Sequence, residues 1–150
     1  MKRKMEPLPL PIGQWCLVLA AIIAIGTAIA HTSCIFLGPE CYAVQMAPKQ
    51  IVESAVNGTY LAPVGTLFVS AIFVLLGLYA LSGANIIRPL PLLSVAMYTI
   101  ATLCIIRGLL PIQLWFRHSE KISDAVLIVG VVWLVTGLLY LIGYRICVKQ

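Results

Sequence analysis

From Ala125 to Ile146 the chain reads AVLIVGVVWLVTGLLYLIGYRI, without a charge before Arg145. A helix needs about 20 predominantly apolar residues to cross the hydrocarbon of a bilayer. A helix on the surface of a water-soluble domain keeps a polar face, and this stretch has none. Three more blocks of the same kind run from about Trp15 to Leu37, Tyr60 to Ser82 and Pro91 to Leu110. Overall 61% of the 150 residues are apolar and 10% charged, against about half and a quarter in soluble domains. An ordinary cytosolic globule is therefore excluded. The expected fold is all-α: residues 1–150 form a single transmembrane domain, an up-down bundle of four helices with spans at about 15–37, 60–82, 91–110 and 125–146.

The net charge of +5 does not point to nucleic acid, because such a surface gathers Lys and Arg on one solvated face. Here the cations flank the apolar blocks. Lys2, Arg3, Lys4, Arg88, Arg145 and Lys149 would share one side of a four-span protein, and Lys49, Arg117 and Lys121 the other. The excess of basic residues on the side holding both termini predicts that this side is cytoplasmic. Lys2 to Lys4 followed by apolar residues up to Ala28-Ile29-Ala30 also has the outline of a secretory signal. The apolar run is longer than the roughly 7–15 residues of a signal core, so it is read as a span.

The longest polar stretch is the outer loop, residues 38–59. A short amphipathic helix is expected there, with Pro48 in its first turn, Ile51, Val52, Ala55 and Val56 on its apolar face and Gly58 after its end. Asn57-Gly58-Thr59 matches a glycosylation sequon but reads as a cap and turn before the next span. A kink is expected at Pro111, with Ile112 to Phe116 continuing along the interface. Ala20, Ala24 and Ala28 repeat at helical spacing, and Gly77, Gly130 and Gly137 supply further small surfaces, all suited to close helix packing.

Arg107 is the one charge well inside an apolar block. Such a residue is costly in hydrocarbon and marks a candidate site. If the span ends near Pro111, Arg107 lies within a turn of the outer interface and pairs with Glu40 or Glu53 as a clamp, or takes an anionic or quinone-like headgroup. Cys34 and Cys41 flank Gly38-Pro39 and are a candidate disulfide pair in an oxidising compartment. His31 with these cysteines would need a further ligand such as Glu40 or the distant His118, so no metal site is expected. All five acidic residues stand in tails, loops or at a helix start, which disfavours proton- or ion-coupled transport. No catalytic constellation, phosphate loop or cofactor signature is legible.

The runs Gly38-Pro39-Glu40-Cys41-Tyr42, Ala47-Pro48 with Ile51-Val52, Gly77 to Ala84 and Arg88-Pro89-Leu90-Pro91-Leu92-Leu93 resemble a group of small uncharacterised bacterial inner-membrane proteins. The resemblance covers about residues 30–116 and implies a bacterial, four-span protein without implying an activity. In topology alone the chain is also similar to the quinone-linked disulfide-generating enzymes of bacterial inner membranes, although it lacks their tight Cys-x-x-Cys and second outer cysteine pair. The expected role is that of a small non-enzymatic membrane protein, structural or accessory, or a binder of a lipid-like ligand. The alternative is a thiol-disulfide or quinone oxidoreductase using Cys34 and Cys41. The expected partners are the lipid bilayer, other membrane helices or a second copy, and a lipid or quinone, with no nucleic acid.

Overall fold

The computed structural model describes residues 11–117, 120 and 123–149. Lys2, Arg3, Lys4, Lys121 and His118 lie outside them. The described residues form six α-helices and no strand: α1 (Ile12–Leu37), α2 (Pro39–Val44), α3 (Lys49–Val56), α4 (Leu61–Gly83), α5 (Leu93–Arg117) and α6 (Asp124–Val148). Helices α1, α4, α5 and α6 are long and apolar enough to cross a membrane. Their outward faces carry Ile22, Phe68, Leu103 and Ile128, all exposed, as hydrocarbon rather than water requires. The fold is a four-helix membrane bundle.

The long helices alternate in direction. One end of the bundle, the terminal end, holds the start of α1, the end of α6 and the link between α4 and α5. The other, the loop end, holds α2, α3 and the point where α5 gives way to α6. Helix α1 packs on α4 and α6, and α6 packs on α5. These three seams are close because small residues line them. Ala20, Ala24 and Ala28 are buried in α1. A Cβ on Gly77 would stand 2.7 Å from Ile25, one on Gly137 2.8 Å from the Ile105 nitrogen, and one on Gly108 2.7 Å from the Gly130 carbonyl oxygen. In hydrocarbon, where apolar burial gives helices no net drive to associate, such close backbone approach supplies the dispersion contact that holds them.

The fourth seam is different. Helices α4 and α5 meet at the terminal end, where Met97 lies against Gly83 and Tyr79 donates a hydrogen bond to the Pro91 carbonyl at 3.1 Å. Towards the loop end they part.

Two expectations change. The outer loop holds two helices, not one. Gly38, at φ +85°, takes a backbone conformation open to glycine and turns the chain directly into α2. In α3, which starts after Pro48, Val56 is 66% exposed. Ser54 is buried in its stead and accepts from the Ala62 amide at 2.8 Å, capping α4. Helix α5 runs through Pro111 to Arg117, so the expected continuation over Ile112 to Phe116 is helical. Pro111 packs against the bare backbone of Gly130, and the helix continues past it despite the missing amide.

Candidate functional site

A cavity of about 590 Å³ opens at the loop end between α1, α5, α6 and the segment after α2. Its walls are mostly apolar. The exceptions include Thr27, His31, Gln45 and Arg107. A second cavity of about 370 Å³ lies in the parted α4/α5 seam, lined by Leu103, Ile106 and Leu110 among others. Phe73, Arg107 and Trp133 line both, so the two spaces adjoin. Together they lead from the loop end to the hydrocarbon side of the bundle.

Three rings from three helices form a row here. His31 meets Phe73 edge-on with centroids 5.3 Å apart, and Phe73 stacks on Trp133 at 5.3 Å. Nδ1 of His31 is buried and has no hydrogen-bond partner.

Among the described residues, Arg107 is the one charged residue lining either cavity, and no carboxylate lines them. It stands about ten residues, or about 15 Å, before α5 ends at Arg117. Its neighbour Gly108 crosses α6 at Gly130 and Leu134. The structure does not join Arg107 to Glu40 or Glu53; Glu53 pairs instead with Lys49 at 3.4 Å on α3. Pro111 has no amide to give the Arg107 carbonyl four residues back, so one residue offers both a guanidinium and a carbonyl lacking its usual helical donor.

Cys34 and Cys41 are joined in a disulfide, their Cα atoms 5.2 Å apart, closing the chain around Gly38-Pro39. Their sulfurs are thus unavailable as thiolate ligands beside His31, and no group of three metal-ligating side chains occurs among the described residues. Gln45 ties this bridge to the cavity. Its Nε2 donates to the Ala30 carbonyl at 2.7 Å and to Cys41 Sγ at 3.7 Å, and its side chain forms part of the cavity wall. Next to it Met46, at φ +55°, also lines the cavity; a non-glycine residue in this region is a local strain that the surrounding contacts hold in place.

Sequence reasoning reached Arg107 and the cysteine pair but missed Phe73, Trp133 and Gln45. A signal for Trp133 existed: it sits near the middle of α6, whereas membrane tryptophans favour the interfaces. The packing residues take their places inside the bundle. Ala20, Ala24, Ala28, Gly77, Gly130 and Gly137 are all buried between helices of this chain. No family model matches the chain, and no curated protein or solved structure matches it either.

Proposed function

We propose that this protein is a small non-enzymatic accessory protein of a bacterial inner membrane, both termini cytoplasmic, that holds a lipid-like ligand at its outer end. The observation that carries this reading is the pair of adjoining cavities around Arg107, apolar in their walls and of the size that small-molecule sites have. The alternative use of the alanine stripe, as a docking face for a partner helix, loses its surface because the stripe is buried against α4 and α6. Purification in mild detergent with mass spectrometric identification of bound lipids, quinones and proteins tests the reading. An amphiphile retained at about one per chain supports it; protein that retains none, while still folded, removes it.

A second reading is favoured by Gln45, which links the disulfide to the cavity wall. In it, a quinone in the cavity takes two electrons and two protons from the Cys34 and Cys41 thiols, forming the disulfide and a quinol. Free thiols at Cys16, Cys104 and Cys147 belong to the spans, so the electrons would have to come from a separate dithiol protein. Quinone reduction that vanishes in Cys34→Ser would favour it over the binding role; an unchanged ligand content with no turnover in wild type would dismiss it.

A further inference from the structure

Resting on the reading of these cavities as a ligand site, we propose that the ligand is an amphiphile with an anionic headgroup, phosphate or carboxylate, whose chain reaches the site sideways through the parted α4/α5 seam.

The charge comes from what is absent around Arg107. Of the polar neighbours on the wall, Gln45 and Thr27 are occupied as donors, Gln45 Nε2 to Ala30 and Cys41 and Thr27 Oγ1 to the Ile23 carbonyl at 2.8 Å, while His31 keeps a buried Nδ1 without a partner. The guanidinium has no ion pair or hydrogen bond among the described residues and faces no acid. An unpaired cation inside an apolar span is costly, and the planar fork of arginine matches a carboxylate or phosphate with two parallel hydrogen bonds. A neutral headgroup would leave that charge uncompensated. An anion supplied with the ligand removes the cost only when bound.

The route comes from the seam. The second cavity is walled by α4, α5 and α6 and turns its apolar side chains Leu103, Ile106 and Leu110 along the opening, with Arg107 at the junction with the first. A hydrocarbon chain fits the first set of contacts and an anionic head the second. Phe73 and Trp133 form the floor common to both.

Trp133 gives the test its probe. The full chain with Trp15→Phe and Trp115→Phe, so that Trp133 alone of the three tryptophans reports, is placed in phosphatidylcholine vesicles. A small, equal fraction of chain-brominated lipid is added as phosphatidylglycerol, as a fatty acid or as phosphatidylcholine. Quenching by an anionic species at about tenfold lower mole fraction than by phosphatidylcholine is expected, the factor a charge-assisted hydrogen bond typically supplies. Arg107→Gln should abolish that preference and Arg107→Lys keep part of it, with all variants retaining the wild-type melting temperature. Whichever anionic arm quenches more strongly assigns phosphate or carboxylate. Equal quenching by the charged and neutral lipids in wild type would overturn the anionic assignment, even where a neutral amphiphile co-purifies and the binding role stands. Relief of quenching by inorganic phosphate alone would place the head in a soluble anion site and overturn the lipid source. Leu103→Trp carrying Trp133→Phe would report from the seam itself: quenching there that follows the same preference supports the sideways route, and a bulk-lipid response there overturns it.

Discussion

The two ends of the bundle are built from the same apolar helices but use them in opposite ways. At the terminal end every seam is closed. Gly13 lies against Ile146, Gly143 against Cys16 and Leu17, and Gly83 against Met97, while polar atoms meet across helices: Gln14 Nε2 donates to the Ala84 carbonyl at 2.9 Å, Tyr140 to the Leu76 carbonyl at 2.8 Å, and Ser94 and Tyr144 share a 2.7 Å hydrogen bond. At the loop end the seam between α1 and α4 is tied as well, Thr32 donating to Ser70 at 2.9 Å, but the seam between α4 and α5 is open, Arg107 has no ion pair among the described residues and aromatic rings line the gap. The difference teaches that close packing and open space are divided between the two ends of the α4/α5 seam.

The strongest way to break this contrast is to wedge the closed end. A side chain at Gly143 meets the Gly13 carbonyl at 3.0 Å and Cys16 at 2.9 Å, so Gly143→Leu should destabilise by about 3 kcal/mol or lose folded protein altogether. Gly26, with nothing within 4 Å of a Cβ, is the control. Gly26→Leu should leave the transition unchanged in the same denaturant titration in detergent. Next in size is the cross-link of the loop end. Replacing Cys34 and Cys41 together by serine should cost about 2 kcal/mol by release of a short closed loop, and should speed proteolysis between α2 and α3 while the transmembrane helices stay protected. Tyr140→Phe removes a hydroxyl from a fully buried ring and should cost about 1 kcal/mol. The smallest loss is at the cavity: Arg107→Gln should lower stability by no more than about 0.5 kcal/mol, because no partner is lost. A large loss there would mean that the guanidinium supports the fold and that the ends are not divided as described.

How much of this was open to sequence reasoning depended on what each residue answers to. The spans answer to hydrocarbon, a solvent with one simple demand, and α6 is readable from composition alone. The pairing of Cys34 with Cys41 was within reach because a short separation around Gly38-Pro39 leaves few geometries. Helix α2 was hidden because Pro39 and Gly38 signal a turn as readily as a helix start, and only contacts with α1 and α3 decide between them. The course of α5 past Pro111 was legible as a continuation over Ile112 to Phe116; what the sequence does not carry is the packing of the proline ring on Gly130. The site itself escaped because Phe73, Trp133, Gln45 and Arg107 come from three helices and a loop, and the order in which helices stand around a bundle is not written in any one of them.

That order has a consequence for how the chain is put together. Because α1 clasps α4 and α5 clasps α6, while the covalently linked neighbours α4 and α5 hold each other only beside their joint, the molecule consists of two helical hairpins laid side by side. The first can insert and zip up as a finished pair before the second leaves the ribosome, and the later meeting of α1 with α6 completes the architecture. A backbone cut in the link 85–91 would then leave two halves able to find each other in the bilayer.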